Sequence, residues 1–338
     1  MRYLQMMRRF VALVSEPLRC NAPFFMFMYV LGCICAWATL PDVRGAHLYK
    51  NLFPELFLDV YMLALVLTLL PRRVRPWVRG IFYFILYVVA LVDVYCFVKF
   101  HSSLTPTMLL LVGETDTREA GEFLRSCVSP DILFSNVGWV VLLMFIHLLV
   151  ALQLRFPHFV PKNWCRLFWS LLDRFGLMFK RVRPVSQWAV LILLVVSTCY
   201  SVHNKAAFVK LMSGRTIGDV EHTLTEKDKA NLYQPIYRLA FSIYANTLTA
   251  KQVDRLVARV DKARVDSCSF RSPNIVLIIG ESYNRHHSAQ YGYCMPTTPR
   301  QQKLEKQGRL VKYTDVVSPW NLTSFVFKHI FSLYTVGD

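Results

Sequence analysis

Among nine cysteines there is no Cys-x-x-Cys pair and no cysteine at metal-binding distance from a histidine, which excludes zinc-ribbon and zinc-finger modules. Acidic residues are scarce, 22 Asp and Glu against 39 Lys and Arg, for a net charge of +17. A nucleic-acid binder would gather that excess into one basic domain, whereas here Lys and Arg flank hydrophobic runs, as membrane orientation requires. The first apolar run lacks a small-residue cleavage site and is followed by others, so it reads as an anchor and not a removable signal. Polar residues are too few for an ordinary soluble protein of 338 residues: 54% are hydrophobic and 14% aromatic, and the mean hydropathy is positive. A multi-span membrane protein is the class these numbers select.

A crossing needs about 20 mostly apolar residues to cover about 30 Å of hydrocarbon. Five runs qualify, from Ala22 to Leu40, Leu52 to Leu70, Gly80 to Val98, Ile132 to Leu154 and Val185 to Val202. Pro184 breaks the stretch before the last of them. Basic residues mark the loops that stay in the cytoplasm. Arg2, Arg8, Arg9 and Arg19 precede the first run, Arg72, Arg73, Arg75 and Arg79 fill the second loop, and the fourth holds Arg155, Lys162, Arg166, Arg174, Lys180, Arg181 and Arg183. The third loop carries Glu114, Asp116, Glu119, Glu122 and Asp131 against Arg118 and Arg125, and is assigned outside. With the N-terminus cytoplasmic, everything after about Val202 lies outside, in the periplasm of a Gram-negative cell.

Cys20, Cys33, Cys35, Cys96, Cys165 and Cys199 lie in or beside apolar runs and read as small hydrophobes. Cys127, Cys268 and Cys294 fall in segments assigned outside, where disulfides are permitted, with no readable pairing. Asp93 and His147 stand out within the runs, because an ionisable group in hydrocarbon is costly. Either lines a cavity or, more simply, pairs with a neighbouring helix or sits near a wet end; no second acid continues a proton path. The fourth loop from Trp164 to Lys180 mixes aromatic and basic residues as an interfacial helix does.

After His203 the composition turns polar. Ile236, Leu239, Ala240, Ile243, Leu256, Val257 and Val260 recur at helical spacing between basic residues, which predicts one or two amphipathic helices on the membrane or on a soluble domain. Asn274-Ile-Val-Leu-Ile-Ile-Gly280 is the pattern of a buried parallel strand. Glu281 follows at the strand's carboxyl end, where open α/β sheets place ligands, although a Glu capping the next helix would look the same. A nucleophile elbow is excluded because Asn284 stands where its second Gly would be, leaving Ser282 a poor nucleophile. His286 and His287 diverge by about 100° on a helix, so at most one would face a site.

Ser318-Pro-Trp-Asn-Leu-Thr-Ser-Phe-Val-Phe-Lys328 sets a loop before an apolar run and puts Thr323 near a helix N-terminus. That position favours an anion, either the alkoxide of an activated Thr or a bound phosphate, though a capping Thr is the commoner use. Asn321-Leu-Thr323 also matches a glycosylation sequon, discounted in a bacterial-looking chain.

Together these features resemble the phosphoethanolamine transferases of the sulfatase/alkaline-phosphatase superfamily: five spans, Val-Leu-Ile-Ile-Gly-Glu-Ser, Tyr291-Gly-Tyr with Thr297-Thr-Pro299, and Asn-Leu-Thr-Ser. The resemblance runs along essentially the whole chain. It implies a five-helix membrane domain over residues 1–203, linker helices over 204–271 and the N-terminal part of an α/β catalytic domain over 272–338. It also implies that Glu281 and Thr323 ligate zinc or another divalent cation, with Thr323 the nucleophile. Thr115 and Glu119, in Glu114-Thr-Asp-Thr-Arg-Glu-Ala120, would contact the donor phosphatidylethanolamine, with Leu111 where the family often carries Asn. The implied acceptor is lipid A or another part of lipopolysaccharide at the bacterial inner membrane. Zinc would acidify a Thr hydroxyl otherwise too weakly acidic to attack at neutral pH.

The family's Asp-His-Gly segment and its further zinc-binding His are not in the sequence. The expectation is therefore a fragment or a truncated gene product, with little catalysis from this chain alone. A phosphoglycerol transferase of the same superfamily and a non-catalytic membrane protein are the alternatives, and an ammonium-bearing headgroup that Glu119 could pair with favours phosphoethanolamine over phosphoglycerol.

Overall fold

The computed structural model describes residues 2–114, 130–155, 183–260, 273–274, 276–278, 280, 283–318, 326 and 330. The chain divides into two compact units, Met1–Ala263 and Arg264–Asp338.

The regular structure of the first unit is all helical among the described residues. Helix α1, Arg2–Cys20, is amphipathic: Val11, Ser15 and Pro17 are buried, while Met6, Met7, Phe10 and Leu13 are exposed among the arginines. At Asn21 the chain bends by 72° into α2, Ala22–Ala38. Asn21 is fully buried, and its amide holds the bend by donating to Pro17 O, Ala64 O and Thr68 Oγ1 while accepting from Arg79 Nη2.

Helix α3 spans Leu52–Leu69 and α4 spans Arg75–Phe100. Arg75 donates to the carbonyls of Thr68 and Leu70, capping the end of α3. Then come α5, Pro106–Glu114, a 3-10 turn at Pro130–Phe134, and α6, Val137–Arg155. Helix α7 runs unbroken over Arg183–Met212. Pro184 stands in its first turn, where a missing N–H costs nothing. Helix α8, Ile217–Thr225, starts on a capping box between Thr216 and Asp219, and α9 covers Pro235–Val260.

Helix α2 packs against α1, α3, α4 and α6, and α3 also packs against α1 and α7. Phe24, Leu31, Leu56, Leu67, Val94 and Val140 lie in the shared core. Exposed Phe84, Ile81, Phe145, Leu148, Ile192 and Val195 leave the bundle apolar on its outside as well, as lipid contact requires.

Among the described residues three helices are long and apolar enough to cross a bilayer: Leu52–Leu69, Arg75–Phe100 and Gln187–Met212. Gln5–Cys20 and Ala22–Ala38 pass that test together as a bent pair, and Val137–Leu152 is a shorter apolar helix. The expected last crossing ended at Val202 because His203, Asn204 and Lys205 follow it. The helix instead continues to Met212, because Asn204 and Lys205 find partners on α3.

In the second unit the expected strand is not formed among the described residues. Val276, Leu277 and Ile278 are 80%, 67% and 87% exposed. A parallel strand needs neighbours on both sides and helices over its faces, and the described residues offer this run none. The described residues form a small knot of two 3-10 turns, Arg285–His287 and Ala289–Tyr291, and α10, Pro299–Lys306. Thr297 Oγ1 donates to His287 O and accepts from Ala289 N, and Thr298 Oγ1 accepts from Gln290 N. Gly292 has φ 98°, a turn that a side chain would strain. The Tyr-Gly-Tyr and Thr-Thr-Pro segments thus serve local folding here.

Candidate functional site

Two ends of the bundle differ in chemistry. One carries Arg19, Arg72, Arg73, Arg75 and Arg79; the other, arginine-poor end is where α2 finishes, α3 begins, α4 finishes and α7 runs on towards α8. Polar groups that the membrane-length helices bury at this second end converge on α9.

Glu55 lies in the first turn of α3, where the positive end of the helix dipole favours a carboxylate. It is fully buried, accepting from Tyr49 OH at 2.6 Å and from Asn204 Nδ2 at 2.7 Å. The same Asn204 amide grips Asn231, with Nδ2 also donating to its carbonyl at 3.2 Å and Oδ1 accepting from its N–H at 2.7 Å.

One turn further along α3, Asp59 pairs with Lys205 of α7 at 2.6 Å and accepts from the hydroxyls of Tyr233 and Tyr237. The Lys205 ammonium donates to the Tyr237 hydroxyl and sits 4.4 Å from the Tyr237 ring centre, a cation–π contact. Burial first, and the Asp59 carboxylate second, push both phenols well above their ordinary value. They therefore stay protonated and remain donors.

The third carboxylate, Asp93 of α4, is also fully buried. Its Oδ2 takes Arg238 Nη2 at 2.7 Å and its Oδ1 takes the N–H of Leu104 at 3.0 Å. This resolves the position singled out in the sequence: Asp93 pairs with a helix, and the helix is α9. His147 likewise has a neighbour, Tyr87, whose hydroxyl meets its Nδ1 at 3.1 Å. Gln234 completes the docking of α9 by donating to Gly32 O at 3.2 Å. A methyl group at Gly32 would stand 2.5 Å from Leu56 Cδ1 and 3.0 Å from Gln234 Oε1, so glycine is what lets this approach happen.

A cavity of about 610 Å³ opens beside this network. Its walls are Ala36, Thr39 and Leu40 at the end of α2, the loop His47-Leu48-Tyr49-Lys50, and Asn231, Tyr233 and Arg238. Among the described residues no carboxylate lines it. Arg238 stands between Asp93 and the space, with its Nε buried and, among the described residues, unpartnered.

Glu281, Thr323, Thr115 and Glu119 lie outside the described residues, as do Ser282, Cys127, Cys165, Cys268 and the segment from Trp164 to Lys180. His286 and His287 are exposed on a 3-10 turn, and the His287 ring rests against Tyr293. Cys20, Cys33, Cys35, Cys96, Cys199 and Cys294 are free thiols. Among the described residues no group of three or more His, Cys, Asp and Glu is placed to hold a metal ion, so the described residues supply no fit for zinc.

Sequence reasoning passed over Glu55, Asp59 and Lys205. Their signal is two acids four residues apart in one apolar run, hence on one helix face, and a lysine just beyond the last run. No protein-family model, curated protein or solved structure matches the chain.

Proposed function

We propose that this chain belongs to a membrane-anchored phosphoethanolamine transferase that works at the face of the bilayer opposite the arginine-rich loops. What carries the reading is one juxtaposition in the sequence: an apolar run ending Gly280-Glu281-Ser282 and a downstream Asn321-Leu-Thr323-Ser, both following helices of membrane length. In this reading the chain crosses five times, over the runs from Ala22 to Leu40, Leu52 to Leu70, Gly80 to Val98, Ile132 to Leu154 and Val185 to Val202, with the N-terminus in the cytoplasm and Thr323 in the periplasm.

In this reading Thr323 Oγ attacks the phosphorus of phosphatidylethanolamine. The bond from phosphorus to the glycerol oxygen breaks, and diacylglycerol leaves with the proton. An oxygen of lipid A or the lipopolysaccharide core then attacks the phosphothreonine and regenerates the hydroxyl. Anchoring holds lipid donor and lipid acceptor at one surface, which converts two encounters in solution into encounters in a plane.

In the full-length protein, Thr323→Ala and Glu281→Ala are each expected to abolish phosphoethanolamine addition while membrane insertion is retained. Mass spectrometry of extracted lipopolysaccharide reads this directly, and a surviving mass gain in Thr323→Ala removes that residue as nucleophile. For the topology, a reporter fused after Ser213, just past α7, should be active only if it is exported; activity in the cytosol overturns the five-crossing count.

A further inference from the structure

The cavity at the arginine-poor end has no role in the transfer chemistry just described, and its walls have a definite preference. Three carboxylates held by the network at that end are engaged behind it: Glu55 by Tyr49 and Asn204, Asp59 by Lys205 and the two tyrosines, Asp93 by Arg238 and Leu104. Its charged or ionisable lining residues are His47, Lys50 and Arg238, with the neutral polar residues Thr39, Tyr49, Asn231 and Tyr233. Among the described residues, Lys50 and His47 have no ion-pair partner. Arg238 is held by Asp93 through one nitrogen, which fixes the fork and leaves further N–H groups of its five uncommitted. A pre-oriented guanidinium beside an ammonium is suited to a phosphate group.

The second observation fixes the level of the cavity. Trp37, one residue from the wall residue Ala36, meets Trp139 of α6 edge-to-face with ring centres 6.2 Å apart, and each is 50% exposed. Half-exposed tryptophans at the ends of apolar helices mark the headgroup region of a bilayer. Ala36 and Leu40 give the cavity an apolar side continuous with that surface.

From this geometry we infer that the cavity binds the phosphate of an anionic lipid headgroup, in preference to a zwitterionic one. A zwitterionic lipid would bring an ammonium to a wall with no carboxylate among its described residues. The site uses residues of the first unit only, so it stands whether or not the transferase reading does.

The test is binding of dihexanoyl phosphatidic acid, dihexanoyl phosphatidylethanolamine and inorganic phosphate to the detergent-purified full chain, followed by calorimetry at low salt. Phosphatidic acid is expected to bind about tenfold or more tighter than either of the others, because one charge-assisted hydrogen bond accounts for such a factor. The rim variant His47→Gln/Lys50→Gln alters exposed side chains and leaves the buried network intact; it should weaken phosphatidic acid by about the same factor and leave phosphatidylethanolamine unchanged. Arg238→Lys keeps a charge for Asp93 and should weaken it too, through loss of the planar fork. Equal binding of the two lipids, or rim variants that bind phosphatidic acid like the wild type, overturns the inference. Phosphate ion binding as tightly as the lipid overturns the lipid assignment in favour of a soluble phosphoester.

Discussion

Each end of the helix bundle buries polar side chains, and they satisfy them differently. At the arginine-rich end Asn21, Arg75 and Arg79 bond mostly to main-chain carbonyls and neutral amides, at the 72° bend and the last turn of α3. At the opposite end each of three carboxylates takes at least one partner from a side chain far away in sequence, Asn204, Lys205 or Arg238, and a cavity adjoins them. Groups saturated by the backbone hold a joint in place. Charges that answer one another across segments hold a surface in register, and they leave a gap where a ligand fits. Burial of polar atoms alone therefore does not separate structure from function; the identity of the partners does.

The contrast can be broken most sharply with two arginines. Arg238→Ala strands Asp93 as a buried, unpaired charge and is expected to destabilise the bundle by about 3–5 kcal/mol. Arg79→Ala removes a bond to a neutral amide and should cost about 0.5–1.5 kcal/mol. Thermal unfolding in detergent measures both, and equal losses would show that the two ends do not differ in kind. Gly32→Ala comes next: its methyl group intrudes on Leu56 and Gln234, an overpacking that costs about 1–3 kcal/mol. Faster hydrogen exchange in α9 should accompany it, since Gln234 anchors the start of that helix.

The smallest effect is local and exposed. Asp219 is held below its ordinary value of 3.8, first by the backbone N–H of Thr216 and then by the Thr216 side chain and the Arg215 N–H. A lowered folded value means that the cap's contribution is present above the ordinary value and is lost as pH falls through the lower one. Amides of Ile217–Thr225 should lose protection only in that acid window, with α9 unaffected. Loss of α9 protection in the same window would show the two helices to be coupled.

Much of this was legible in the residues. Apolar run length placed α2, α3, α4, α6 and α7 because nothing else in the sequence competes with that signal, and Pro184 marked where α7 begins. The bend at Asn21 was not legible, because an asparagine that bonds four groups on three helices looks like any loop residue. The continuation of α7 past Val202 was missed for a related reason: polarity was read as exposure, yet Asn204 is buried against Glu55. The run Val276–Ile278 shows the reverse error, in which hydrophobicity was read as burial although partners are what bury a strand. The roles of Glu281 and Thr323 rest on resemblance alone.

The carboxylates of α3 and α4 meet their cations only after a long interval of synthesis. Asp59 and Lys205 are 146 residues apart, and Asp93 and Arg238 are 145. At roughly 5–20 residues per second, on the order of ten seconds passes before the ribosome delivers the answering residue. During that interval the nascent bundle carries acids it cannot neutralise, and α9 acts as a late clasp. A chain stalled before Arg238 would leave Asp93 without its cation.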